Sequence, residues 1–159
     1  IYIEGNAGTG LGENMMSGII HVKGNTSQSA GATAHGGTII IDGDASSRCG
    51  ISMKGVDIIV KGSVGHMSAF MAQAGTLMIC GDAGDALGDS IYETVIYMAG
   101  KPKTLGVDCI EKKITKKDLK KIENLIKTGN VKKLKPHNFK KFGSARKLYN
   151  FNIDNVSEY

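Results

Sequence analysis

Residues 38–75 read TIIIDGDASSRCGISMKGV and then DIIVKGSVGHMSAFMAQAG, two stretches of 19 residues that align without a gap. Each opens with a short β-branched run that stops at a glycine, Gly43 in one and Gly62 in the other, which predicts a strand and a turn. Extending outward in both directions keeps the register. IIHVKGNTSQSAGATAHGG (19–37) precedes the pair, TLMICGDAGDALGDSIYET (76–94) follows it, a nearly whole unit fills residues 1–18, and VIYMAG (95–100) begins another. Gly5, Gly24, Gly43, Gly62, Gly81 and Gly100 are each 19 residues apart, and Gly12, Gly31, Gly50, Ala69 and Gly88 repeat at the same spacing. Such a fixed period marks a stacked repeat.

The columns of the repeat say which side chains face inward. Ile1, Ile20, Ile39, Ile58, Leu77 and Ile96 form one column, and Ile3, Val22, Ile41, Val60, Ile79 and Met98 another two positions on, so both lie on one side of the strand. Three further columns carry small or apolar residues. They run Ala7, Thr26, Ala45, Val64, Ala83; then Leu11, Ala30, Cys49, Ser68, Leu87; then Met15, Ala34, Met53, Ala72, Ile91. Inward positions in three groups per 19 residues predict a three-sided coil, a single-stranded parallel β-helix of six rungs over residues 1–100. A hexapeptide coil would repeat every ~6 residues and a leucine-rich repeat would show its leucine pattern, and neither is present. Glycines at the corners are expected to supply positive φ for sharp bends.

Two columns point outward. Glu4, Lys23, Asp42, Lys61, Cys80 and Ala99 alternate in charge where side chains stack about 4.8 Å apart, which favours the observed register. The column Tyr2, His21, Ile40, Ile59, Met78 and Tyr97 is mostly apolar, so it is the candidate partner-contact face.

Composition divides the chain at the same place. Of 22 glycines, 19 precede residue 101; residues 1–100 carry four basic and nine acidic side chains, and residues 101–159 carry 16 and six. The net charges are −5 and +10. Thr115 with Asp118 predicts a capping box, Ile114 and Leu119 a hydrophobic staple, and Leu119, Ile122, Leu125 and Ile126 an apolar stripe ending at Gly129-Asn130. A helix near 115–128 is expected, within a basic extension spanning 101–159, docked on the side or end of the coil because one short helix is marginal alone. Phe139, Phe142, Leu148, Tyr149 and Phe151 are expected against the coil's flank or a partner. No stretch of ~18 apolar residues and no leader pattern appears, so a cytoplasmic protein without a membrane role is expected.

No constellation of catalytic or ligand-holding residues stands out. Gly8-Thr9-Gly10-Leu11-Gly12 sits in the repeat register and no helix with an acidic ribose ligand follows, so these read as turn glycines. Asp82, Asp85 and Asp89 lack the nonapeptide calcium repeat. His21, His35 and His66 occupy different sides of one coil and cannot share a metal. Cys49, Cys80 and Cys109 form no CxxC and no paired nucleophile arrangement, so they read as structural thiols. The lysine pairs of the tail admit nucleic-acid binding, but lysine dominates and no motif accompanies it; the tail could equally dock on the acidic coil of its own or another subunit, and charge steering between subunits is the better reading.

The segments GNTSQSAGATAHGG (24–37), GDASSRCGISMKGVDIIVKGSVGHMSAFMAQAG (43–75), GDAGDALGDSIYE (81–93), TLGVDCIEK (104–112) and FGSARKLYNFNIDN (142–155) resemble the GXGXG domain of glutamate synthase. The likeness is greater to its stand-alone subunit form in archaeal-type glutamate synthases and N-methylglutamate synthases. The formylmethanofuran dehydrogenase component that shares this repeat is similar more distantly. The resemblance implies a right-handed β-helix without catalytic, cofactor-binding or metal-binding residues of its own. It also implies partners that carry the chemistry, namely a synthase subunit with FMN and iron-sulfur clusters and a glutaminase subunit, with homo-oligomerisation an open possibility. Family members commonly continue upstream of the coil, so a further N-terminal segment is expected.

Overall fold

The structure, a computed structural model, describes residues 1–147. Leu148, Tyr149, Phe151 and the last part of the 142–155 motif therefore lie outside the described residues. The strands are β1 (Tyr2–Ile3), β2 (Ile19–Val22), β3 (Thr38–Ile41), β4 (Lys54–Val60), β5 (Ala74–Ile79), β6 (Val95–Met98) and β7 (Cys109–Lys112). Helix α1 (Lys116–Gly129), a short 3-10 turn (Pro136–Asn138) and β8 (Lys140–Ser144) follow.

β1 to β6 pair in sequence order, all parallel, in the register set by the period: Ile20 opposite Ile39, Ile39 opposite Ile58, Ile58 opposite Leu77, Leu77 opposite Ile96. A second side stacks through single parallel bridges, Ala7–Thr26–Ala45–Val64–Ala83. On the third, the amides of Gly31, Gly50, Ala69 and Gly88 donate to the carbonyls of Leu11, Ala30, Cys49 and Ser68 at 2.7–2.9 Å. This is the expected parallel β-helix with one helix appended, its coil making about five turns where six rungs were expected. Its interior is filled by the columns read from the sequence, with Val22, Ile39, Ile41, Ile58, Val60, Leu77, Ile79, Ile96 and Met98 fully buried. Each such aliphatic side chain contributes roughly 1.5–3 kcal/mol of burial.

The two glycine columns have different causes, which corrects the expectation of positive φ at both. Gly12, Gly31, Gly50 and Gly88 do hold positive φ, from 68 to 72°, and Ala69 adopts 57° at the equivalent corner. The Gly24, Gly43, Gly62 and Gly81 column does not. There a Cβ would lie only 2.7–2.9 Å from the carbonyl oxygen of the glycine one rung below. The stacked backbones approach too closely for any side chain. Gly5, the first glycine of this column among the described residues, has nothing within 4 Å.

Beside this column runs a ladder that the sequence reading missed. Asn6 Oδ1 accepts from the Asn25 amide, Asn25 Oδ1 from Asp44, Asp44 Oδ1 from Ser63, Ser63 Oγ from Asp82 and Asp82 Oδ1 from Lys101, all at 2.7–2.9 Å. Each residue directly follows a corner glycine, so the signal was a polar column at the next position. Every member satisfies a turn amide that has no ladder partner of its own.

The coil does not stop at residue 100. Pro102 bridges Ala83 and Leu105 bridges Leu87, the latter at a spacing of 18, so residues 101–107 continue the stack for part of a turn. The chain then reverses. β8 inserts antiparallel between β6 and β7, with Ile96 opposite Phe142 and Glu111 opposite Phe142 on the other edge, and the Phe142 ring joins the coil's core. This closes the parallel ladder at its C-terminal end.

The outward charge column behaves as expected. Asp42 accepts from Lys61 Nζ at 2.7 Å and lies 3.8 Å from Lys23 Nζ, one rung to either side.

Candidate functional site

The candidate site is the outer face of the β1–β6 sheet. Its central residues are not left for a partner. Ile40, Ile59, Met78 and Tyr97 form a second apolar cluster with Ile122 and Leu125 of α1 and with Phe139, and all seven are at most 5% exposed. The covering element over these four positions is therefore the chain's own helix, which corrects the expectation of a partner there. Tyr2 and His21 alone of that column stay outside the cluster, with Tyr2 54% exposed.

The helix forms and docks for reasons visible in its residues. Thr115 Oγ1 accepts from the Asp118 amide and Asp118 Oδ2 accepts from the Thr115 amide, completing the capping box. Asn130 ends it in the left-handed region at φ 53°. Ile122 and Leu125 turn to the sheet and Ile126 follows partly buried, whereas Leu119 points out at 37% exposed. The stripe is thus narrower than the four residues suggested. Gly129 lets the last turn approach Ile59, where a Cβ would meet Ile59 Cγ2 at 2.9 Å.

Asp118 is the polar centre of this junction. Its carboxylate accepts from the Tyr97 hydroxyl at 2.6 Å, the Lys141 ammonium at 3.0 Å and the Thr115 amide at 2.8 Å. Burial by itself raises its pKa, but these donors outweigh burial and hold the carboxyl down at about 2. The same burial, with the adjacent carboxylate, pushes the Tyr97 phenol well above its ordinary range. Lys121 reaches from α1 to Asp57 at 2.7 Å, and Arg146 to Glu93 at 3.0 Å. Cations of the extension thus meet carboxylates of the coil, as the opposite net charges suggested.

Beyond the helix, the uncovered part of the face carries a polar cluster. His21 Nε2 lies 2.9 Å from Asp42 Oδ1, the Tyr2 and His21 rings meet edge to face at 5.3 Å, and Lys23 sits 5.6 Å over the Tyr2 ring. Burial raises the Asp42 pKa, yet the Lys61 and His21 hydrogen bonds win and hold it below the usual carboxylate range. On the other side of α1, Lys116, Lys117, Leu119 and Lys120 border an open groove with Pro136 and His137, about 770 Å³ in volume. Lys116, Lys117 and Lys120 form no ion pair with a described carboxylate.

The other sequence candidates are scattered. Cys49 and Cys109 are buried, and burial pushes both thiols up to about 12; Cys80 is half-buried and pushed to about 11. Among the described residues no three His, Cys, Asp or Glu side chains converge on a metal position. No described helix is long and apolar enough to cross a membrane.

Fold and face together define a parallel β-helix whose own C-terminal helix braces one outer side. Profiles of known protein families give no match to this chain. The whole chain is 57% identical over 159 residues to Protein GlxC of Rhizobium meliloti (strain 1021), of which it spans 70%. The chain belongs to the GlxC family.

Proposed function

We propose that this chain is a non-catalytic positioning subunit of a glutamate-synthase-like complex, formed with a glutaminase subunit and an FMN- and iron-sulfur-containing synthase subunit. The observation that supports it most is the GXGXG-type motif series, whose glycines occupy the rung corners of the observed coil in unbroken register. A stack of rungs locked by interior packing and ladders is stiff, which suits a part that holds two reaction centres at a fixed separation. Fixed placement lets ammonia pass from one to the other before it reaches solvent, a proximity effect.

With α1 over the centre of the outer face, two surfaces beside it among the described residues are candidate partner contacts. One is the Tyr2, His21 and Lys23 cluster, and the other is the lysine-lined groove beside Leu119.

The test is recovery of the tagged chain from its own cells, with an absorption spectrum and a split activity assay on the recovered material. Flavin absorbance is expected, with glutamine-driven synthesis lost on deleting the chain while ammonia-driven synthesis survives. Recovery of the chain alone, or with nucleic acid, overturns the reading.

A further inference from the structure

A smaller site lies at the closed end of the sheet, on the outer face where β8 runs between β6 and β7. Lys141 pairs with Lys112 across β7–β8, so the two ammonium-bearing side chains lie on one face. Like charges directly opposed on adjacent strands destabilise the pair unless something lies between them. Gly143, two residues beyond Lys141, shares that face, is buried, and has ordinary strand backbone. Its missing side chain leaves a notch. Lys112 lies across it, with Cδ, Cε and Nζ at 3.5, 3.6 and 3.8 Å from the position of a Cβ on Gly143.

The notch opens into a cavity of about 160 Å³ lined by Glu93, Thr94, Lys112, Lys141, Gly143 and Arg146 among others. Charge there is unbalanced. Glu93 is taken by Arg146 at 3.0 Å and Asp118, just behind, by Lys141 at 3.0 Å, while Lys112 has no carboxylate partner among the described residues. Three cations against two carboxylates leave one positive charge. Thr94 adds a second, independent feature: it is 1% exposed, and its hydroxyl has no hydrogen-bond partner among the described residues. Buried hydroxyls are nearly always partnered.

We propose that this notch binds a small oxyanion of carboxylate or phosphate type between Lys112, Lys141 and Arg146. A singly charged oxyanion balances the excess charge and separates the opposed lysines. Arg146 offers a planar fork and the lysines point charges, a donor set suited to either oxyanion. A cavity this small is well under the roughly 300 Å³ of sites for larger ligands, so a nucleotide is excluded. The site is independent of the proposed coupling role.

Calorimetric titration of the purified 159-residue chain tests this, with inorganic phosphate and with acetate as separate probes at constant ionic strength, and chloride as the blank. Saturable binding of at least one probe is expected, and which one binds identifies the class. Lys112→Ala should weaken it about tenfold or more, as loss of one charge-assisted bond does. Gly143→Val should abolish it by filling the notch, and Lys117→Ala, on the outer side of α1, should leave it unchanged. If Gly143→Val does not fold, Lys112→Ala decides. No saturation beyond chloride, or equal effects of Lys112→Ala and Lys117→Ala, overturns the proposal.

Discussion

The Tyr97 hydroxyl donates to Asp118 Oδ1 at 2.6 Å, tying the last strand of the parallel ladder to the first turn of the helix that covers it. One carboxylate thereby caps the helix, satisfies a buried phenol and anchors Lys141 of β8. Three segments of the chain meet at that atom group.

Stability should depend on the ionised form of Asp118. Its folded pKa of about 2 lies below the ordinary aspartate value of 3.8, so the carboxylate contributes stability that is present above about pH 4 and lost as pH falls toward 2. Asp118→Asn is expected to cost about 2 kcal/mol at neutral pH, with the difference from the native chain closing near pH 2. Urea unfolding across that range checks it, and equal stability at pH 7 would sink the assignment.

Gly129→Ala sets two effects against each other. Alanine raises helix propensity by about 1 kcal/mol, but its Cβ would sit 2.9 Å from Ile59 Cγ2. Overpacking of that kind costs about 1–3 kcal/mol, so net destabilisation is expected. In an Ile59→Ala background the obstacle is gone and the same change should become neutral or stabilising. A double-mutant cycle by thermal or urea unfolding reads the sign change.

Two glycines of one column should respond differently. Gly62→Ala places a Cβ 2.7 Å from the Gly43 carbonyl oxygen, with backbone that cannot move aside, whereas Gly5→Ala meets nothing within 4 Å. The first is expected to destabilise by about 3 kcal/mol or more and the second by under about 0.5 kcal/mol. Comparable costs at both positions would refute the close-stacking explanation.

The thiols should be silent in the folded chain. Burial raises Cys49 and Cys109 to about 12 and Cys80 to about 11, leaving little thiolate at pH 8. A colorimetric thiol assay is expected to detect almost no reaction until denaturant is added, and then all three cysteines. Fast labelling of Cys49 under native conditions would contradict its buried position.

Much of the coil was legible because its information is periodic. Each interior column repeats the same choice at every rung, so Ile20, Ile39, Ile58, Leu77 and Ile96 reinforce one another as a signal. The helix was legible for a local reason: Thr115 and Asp118 are three residues apart, within reach of a capping box. Of the candidate face, Ile40, Ile59, Met78 and Tyr97 lie under the chain's own helix, while Tyr2 and His21 lie outside that cluster. Nothing in the columns of the coil encodes a contact such as Lys121 with Asp57, 64 residues away.

By itself, then, the sequence determined the period of 19, the inward columns and the ends of α1, because these follow from side-chain spacing along a regular backbone. Only the tertiary structure decided that α1 folds back over Ile40, Ile59, Met78 and Tyr97, and that β8 enters antiparallel between β6 and β7 to close the core with Phe142. It also separated the glycines that bend the chain from those that admit the rung below. Those outcomes depend on how surfaces distant in the chain fit together, and complementarity of that kind leaves no repeat to read.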